Sequence, residues 1–474
     1  KLRAINPPDF CREFYVTAFS TLTQLPASQL TNLEEMGYLA MTPIQAAALP
    51  DILAGRDVRA QAKTGSGKTA AFGLGVLQRI DPTQYTTQSL VLCPTRELAD
   101  QVTKELRRLA RFTQNIKILT LCGGQPLGVQ RDSLQHAPHI VVGTPGRILD
   151  HLKRETLNIG NIATLVLDEA DRMLEMGFRD DIDAIIGYST PSRQTLLFSA
   201  TWPQGIAQIS NRIQRDPLTV ETDDVSELPA IEQSFWEGSN RDKLSMLMGL
   251  LSEQKPKSCV VFCNTKRECD DIAQALEGSQ ISAMALHGDL EQRDRDQVLI
   301  RFANGSCRVL VATDVAARGL DIKELAMVVN YQLSFDPEVH VHRIGRTARA
   351  GQQGKAVSFV APDEMVRAHA LEDYLQMKLN WQSGSALKSV AVKPLDAEMA
   401  TLCIDGGRKA KIRPGDILGA LTGDAGLKAE LIGKIDITPT HAYVAIRHDA
   451  ARQAMKQLQQ GKIKGKTCGA RLLK

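Results

Sequence analysis

The sequence predicts an α/β fold: two parallel-sheet domains in tandem, followed by a small βαββαβ domain. Three observations carry that expectation. Short apolar runs alternate with longer helix-like segments, the rhythm of strand–helix–strand units. The rhythm is interrupted by a polar, acidic stretch, ETDDVSELP at 221–229, and again by QSGSALKSVAVKP at 382–394. Beyond that second break the charge changes sign. Residues 395–474 hold 14 Lys and Arg against 8 Asp and Glu, a net of +6, which leaves 43 against 46, a net of −3, for the rest.

The bulk properties agree. A chain of 474 residues is too long for one ordinary core. At 43% hydrophobic and 23% charged it reads as soluble and globular. No apolar run approaches the roughly 18 residues that span a bilayer. The segment KLRAINPPDFCREFYV lacks the apolar core of a signal peptide, so a cytoplasmic protein is expected. The nine cysteines are dispersed, and Cys259, Cys263 and Cys269 have no partner at a usual zinc spacing; free buried thiols are expected.

Taken in order, residues 1–16 read as an N-terminal extension. Residues 17–222 form the first domain, with strands at SLVLC (89–93), HIVVG (139–143), TLVLD (164–168) and TLLFS (195–199). Residues 231–381 repeat the pattern with SCVVFC (258–263), CRVLVAT (307–313) and AMVVNY (326–331). Residues 382–397 read as a loose linker. Residues 398–474 read as strand MATLCIDG, helix PGDILGALTG, strands GKIDIT and HAYVAI, helix DAARQAMKQLQQ and strand KTCGARLL, the order of an RNA-recognition-motif fold. Its stacking aromatics are mostly missing, since His441, Tyr443 and Ile446 occupy the segment that would carry them. Two basic clusters, RKAKIR (408–413) and KIKGK (462–466), point to RNA binding through loops and edges by Lys409, Lys411, Arg413, Lys462, Lys464 and Lys466. Charge alone fits a solvated surface equally well.

The chemistry starts from TLVLDEADRML (164–174), where a strand ends in Asp168, Glu169 and, two positions on, Asp171. So much negative charge calls for a cation. AKTGSGKT (62–69) follows a strand-like run and opens a helix. It matches G-x-x-x-x-G-K-[ST] at Gly67, Lys68 and Thr69, with Ala62 in place of the first glycine. Such a loop, here Ala62, Lys63, Thr64, Gly65, Ser66 and Gly67, turns backbone N–H groups onto phosphate oxygens at a helix N-terminus. Lys68 then reaches the β- and γ-phosphates of ATP, and Thr69 and Asp168 hold Mg2+. Glu169 is placed to orient or deprotonate the attacking water. Asp171 either joins this group or caps the next helix.

DEAD (168–171) is not alone. GYLAMTPIQ (37–45), AKTGSGKT, PTRELA (94–99), GG (123–124), TPGR (144–147), SAT (199–201), VFCNT (261–265), QRDR (292–295), ATDVAARGLDI (312–322) and HRIGRTARAG (342–351) stand in order around it. On these eleven motifs the chain resembles the DEAD-box RNA helicases. The resemblance implies two RecA-like domains and RNA-dependent ATP hydrolysis. It implies that Gln45 reads the adenine edge, a bidentate geometry that guanine cannot satisfy, and that Phe19 packs on the base. Gly319 and Asp321 join the nucleotide site, Asp321 near the ribose. Arg346 and Arg349 are arginine fingers that reach the γ-phosphate when the domains close. Asp171, Ser199, Thr201 and His342 couple the nucleotide to RNA. Pro94, Thr95, Arg96, Gly124, Thr144 and Arg147 in the first domain, and Arg295 and Thr313 in the second, contact RNA, largely at phosphate and 2′-OH. Ala348 departs from the glycine frequent at its position. With this tail, the chain further resembles a bacterial member acting on 23S ribosomal RNA in large-subunit assembly; a general RNA chaperone with a non-specific basic tail is the alternative.

Overall fold

The computed structural model describes residues 18–62, 66–221, 231–317, 325–347, 354–423 and 426–473. Lys63, Thr64, Gly65, Gly319, Asp321, Ala348, Arg349 and the 1–16 extension therefore lie outside the described residues. The chain divides into two compact units, the first ending at Ser226 and the second taking up nearly all the rest.

The first unit is built on β1 (Val58–Gln61), β2 (Ser89–Leu92), β3 (Ile118–Leu121), β4 (Ile140–Gly143), β5 (Thr164–Leu167), β6 (Gln194–Ser199) and β7 (Leu218–Glu221). They form one parallel sheet in the order β3-β4-β2-β5-β6-β1-β7. Strands β2, β4, β5 and β6 are buried at every position. Helices cover both faces, which is why these strands read as unbroken apolar runs. Val166, Leu196 and Phe198 pack into one core with Ile44, Phe72 and Val102. Leu165, Leu167 and Leu197 pack into the other with Ile148, Met173 and Ile182. The register levels the strand ends: Gln61 pairs with Ser199, Leu167 with both Leu92 and Leu197, and Gly143 with both Leu92 and Leu121. Each segment that follows a strand therefore leaves along the same edge, where open α/β sheets bind ligands.

The second unit repeats the plan with β8 (Ile231–Glu237), β9 (Cys259–Cys263), β10 (Ala283–Leu286), β11 (Val309–Thr313), β12 (Met327–Asn330), β13 (Gly354–Val360) and β14 (Trp381–Ser383), in the parallel order β10-β11-β9-β12-β13-β8-β14. Here the structure departs from expectation. The stretch 382–397 is built into this lobe rather than loose. It supplies the end of β14 and the helix Gly384–Lys388, and it buries Leu387 and Leu395 in the lobe's core. Leu395 also exchanges backbone hydrogen bonds with Gln280 and Ser282, both 2.9 Å. Its few apolar anchors are widely spaced among Ser, Gly and Lys, so composition hid them.

The C-terminal strands β15 (Met399–Ile404), β16 (Ile432–Ile437), β17 (Ala442–Arg447) and β18 (Ala470–Leu472) form an antiparallel sheet in the order β16-β17-β15-β18. Leu402, Ile404, Val444 and Ile446 share a core with the helices Pro414–Thr422 and Ala451–Gln460. On the other face Thr401 is buried against the second lobe. Its Oγ1 accepts from Asn304 Nδ2 at 2.9 Å and donates to Ser306 Oγ at 2.8 Å. All eight described cysteines are free and buried. Among the described residues, no helix is long and apolar enough to cross a membrane.

Candidate nucleotide and RNA sites

The phosphate-loop segment leaves the edge of the first sheet between β1 and the helix Lys68–Gln78. Gly67 caps that helix at φ +95°, a left-handed conformation that favours glycine. Ala62 needs no such freedom: its N–H donates to Ser199 O at 3.0 Å, so it simply continues β1. Lys68 is buried, and its ammonium donates to Ala62 O at 2.8 Å. That contact holds the cation back along the loop. Gln45, on the helix Pro43–Leu53, is fully buried. Its Oε1 accepts from Thr42 N at 2.9 Å and its Nε2 donates to Gly67 O at 3.1 Å. One amide hydrogen and one lone pair remain for a ligand. Phe19 lies in the core, edge-to-face with Tyr38 at 6.3 Å.

Asp168 leaves β5 on the same edge and is buried. Burial pushes its carboxyl up to about 7, and the nearby Lys68 only partly opposes this. Its Oδ1 is buried without a hydrogen-bond partner. A buried, ionisable oxygen with no partner is costly unless a cation or ligand meets it. Glu169 sits at φ +52°, uncommon for a residue with a side chain, as the chain turns into the helix Ala170–Glu175. Asp171 does more than cap that helix. Its Oδ2 accepts from Ala200 N at 3.0 Å, Thr201 N at 2.8 Å and Thr201 Oγ1 at 3.1 Å. Its own N–H donates to Ser199 Oγ at 3.3 Å. The acidic turn and the SAT segment are thus one hydrogen-bonded body.

The remaining first-unit positions follow β2, β3 and β4. Thr95 caps the helix Arg96–Leu109, its hydroxyl accepting from Leu98 N at 3.2 Å, with Pro94 just before and Arg96 just after. Gly124 is exposed at φ +75°. Thr144 stands before the helix Pro145–Lys153. Arg147 on that helix is braced by Gln125 O and Gln130 Oε1, both at 2.9 Å.

In the second unit Thr313 ends β11, Arg295 lies in the first turn of the helix Gln292–Ala303, and His342 lies on the helix Pro337–Ile344, with half-buried Arg346 just beyond its end. Sequence reasoning passed over the residue between them. Arg343 is almost fully buried and grips Asp314 bidentately at 2.6 and 2.8 Å. It also donates to Gln332 O at 2.7 Å and Asn264 Oδ1 at 3.1 Å. It therefore ties segments following β9, β11 and β12 to the helix carrying His342. The available signal was one acid at the end of β11 and one arginine inside HRIGR, 29 positions apart.

In the C-terminal domain the two basic clusters come together. Lys464 Nζ donates to Lys411 O at 3.0 Å across 53 positions of sequence. Arg408, Lys409, Lys411, Arg413, Lys462, Lys464 and Lys466 are all exposed on the lobe so formed.

Three family models match the chain in series: DEAD/DEAH box helicase over residues 42–209, helicase conserved C-terminal domain over 242–351, and DbpA RNA binding domain over 401–472. The ATP-dependent RNA helicase DbpA of Escherichia coli is 67% identical over 97% of this chain and all of its own length. The helicase CshA of Bacillus cereus is 46% identical over 75% of this chain and 68% of its own. Among solved structures, S. cerevisiae Dbp5 bound to RNA and ADP BeF3 superposes with a TM-score of 0.71 at 30% identity, covering 79% of this chain and 99% of that one. Mss116p bound to ssRNA and AMP-PNP gives 0.70 at 27% identity, covering 78% and 80%.

Proposed function

The chain belongs to the DEAD-box ATP-dependent RNA helicases, in the branch with a DbpA-type RNA-binding domain, and from that premise we propose that it opens short RNA duplexes during large ribosomal subunit assembly, anchored to 23S ribosomal RNA by its C-terminal domain. It is an RNA-dependent ATPase. The cytoplasm is the compartment this reading assigns. Residues 17–222 and 231–397 form the ATPase core, and residues 398–474 form the reader.

In this reading Lys68 leaves Ala62 O to neutralise the β- and γ-phosphates of ATP, and Gln45 offers its remaining donor and acceptor to the adenine. The partnerless Oδ1 of Asp168 and the Thr69 hydroxyl fit Mg2+, which when bound offsets phosphate charge. Glu169 orients the attacking water and takes its proton. Arg346 and Arg349 complete the charge stabilisation when the two units close, an effect of about 10³–10⁵ in rate for fingers of this kind. Asp171 passes the state of the acidic turn to Ser199 and Thr201. Pro94, Thr95, Arg96, Gly124, Thr144, Arg147, Arg295 and Thr313 grip the RNA backbone, and His342 links that grip to the nucleotide. Gly319 and Asp321 complete the nucleotide pocket.

The observation that carries the 23S reading is the single exposed lobe formed by two basic clusters, in a domain of DbpA RNA-binding type. Part of the sheet face opposite its helices is docked on the second lobe through Thr401, which leaves loops and edges as the readers. The test compares ATPase stimulation by 23S ribosomal RNA and by unrelated RNA, using the full chain. Lys462, Lys464 and Lys466 changed together to Ala should erase the preference while generic stimulation at high RNA concentration persists. The salt dependence of binding should flatten by about two log–log units rather than three, because Lys464 is already committed to Lys411 O. Equal stimulation of the unaltered protein by both RNAs would leave a general RNA helicase with a non-specific tail.

A further inference from the structure

Among the described residues, one group of metal-ligating side chains stands apart from the nucleotide site. A donor atom from each of Cys403, Asp405 and His441 lies within 4.8 Å of the others. They come from adjacent antiparallel strands. Cys403 pairs with Tyr443 and Ile404 with Ala442, so the next step of that register sets Asp405 opposite His441. Residues two apart on a strand share a face, which puts all three donors on one side of the sheet. We propose that Cys403, Asp405 and His441 form a divalent-metal site of zinc class, with a fourth position open to solvent.

The donor set suits that ion. One thiolate, one imidazole and one carboxylate is a combination used by zinc, whereas magnesium and calcium take oxygen. His441 Nε2 lies 3.7 Å from an Asp405 oxygen. Tetrahedral zinc, with bonds of about 2.0–2.3 Å, spaces its ligands roughly 3.3–3.8 Å apart, so this pair already stands at the required separation. Cys403 is buried at the floor, while the Asp405 and His441 side chains are 51% and 29% exposed, leaving a way in.

Surrounding groups orient the ligands as outer-shell partners do. His441 Nδ1 lies 2.9 Å from Thr440 Oγ1, which leaves Nε2 to the metal. The Tyr443 hydroxyl hydrogen-bonds the Cys403 sulfur. One competitor is present: Arg471 donates to Asp405 Oδ1 at 2.8 Å. Both side chains of that pair are about half exposed, and such pairs hold weakly. On binding, the Cys403 thiol gives its proton to solvent, the sulfur–metal bond forms, and Arg471 is released.

The location gives the site a consequence. Asp405 lies immediately before Gly406 and Gly407, where the chain enters the 408–413 basic cluster. That cluster is held by bonds from Arg408 N to Thr438 O at 2.9 Å and from Lys409 N to Pro439 O at 3.0 Å, just before His441. A metal spanning Asp405 and His441 pins the root of the basic segment to the β16–β17 hairpin. No linear motif announces the site, because its ligands lie on strands far apart in sequence.

The test is cobalt titration of the full chain after treatment with a chelator. One equivalent of Co2+ should produce a thiolate-to-metal charge-transfer band with the strong visible absorption of four-coordinate cobalt, both bleached by Zn2+. Cys403→Ser should abolish the charge-transfer band. Asp405→Asn and His441→Gln alter more open side chains and leave the thiol in place; each should weaken Co2+ binding by at least about tenfold. No thiolate band, a band that survives Cys403→Ser, or unchanged affinity in the other two variants would overturn the assignment.

Discussion

Replacing Asp168 by Asn should make the ligand-free first unit more stable at neutral and alkaline pH while removing its activity. Burial holds the Asp168 carboxyl near 7, against 3.8 for an ordinary aspartate. Between those values the folded chain keeps a proton that the unfolded chain has released. Stability therefore falls as pH rises from about 4 to about 7, and stays low above. About three pH units at roughly 1.4 kcal/mol each give about 4 kcal/mol of destabilisation at pH 8. Asparagine carries no charge but leaves its amide unpaired where Oδ1 has no partner, a cost of about 1–3 kcal/mol. The net gain at pH 8 is then about 1–3 kcal/mol, and the variant loses the slope between about pH 4 and 7. The chain has three tryptophans, of which Trp202 lies in the first unit and Trp236 and Trp381 in the second. With the latter two replaced by Phe, urea unfolding followed at Trp202 in chelator reports the right unit. Parallel pH profiles for the aspartate and asparagine proteins would refute the burial account of this site.

Two further predictions concern the second unit. His340 is stacked on Phe235, and burial holds its imidazole down at about 3, with Arg343 adding to the effect. The unfolded chain takes up that proton first, so stability falls as pH drops from about 6.5 to about 3, by up to about 5 kcal/mol. His340→Gln should remove this acid limb in unfolding followed at Trp236 and Trp381; an unchanged limb would show that other groups cause it. Arg343→Ala should cost about 3–5 kcal/mol by stranding Asp314. Arg343→Lys, which cannot grip bidentately, should recover only part of it. In a double-mutant cycle with Asp314→Asn, a coupling of about 2 kcal/mol or more is expected, and simple additivity would dissolve the pair.

What the sequence disclosed and what it concealed divide along one physical line. The strands β2, β4, β5 and β6 were legible because burial on both faces leaves no polar position to blur the run. The phosphate loop and Asp168 were legible because phosphate chemistry demands particular residue types at short, set spacings. Residues that hold these local segments against one another left no such mark. Asp171 read equally well as a helix cap because the amides it binds lie 29 and 30 positions later. Arg343 and Asp314 are likewise 29 apart, and the anchors of 382–397 are single leucines whose partners are elsewhere in the fold. Gln45 shows both kinds of information in one side chain. Its bond to Thr42 N spans three positions and belongs to a local helix start, whereas its bond to Gly67 O spans 22 and joins the adenine-reading segment to the phosphate loop. A base that engages this amide therefore acts on the carbonyl immediately before Lys68. In the proposed reading, recognition of adenine and placement of the phosphate-binding lysine are mechanically linked steps.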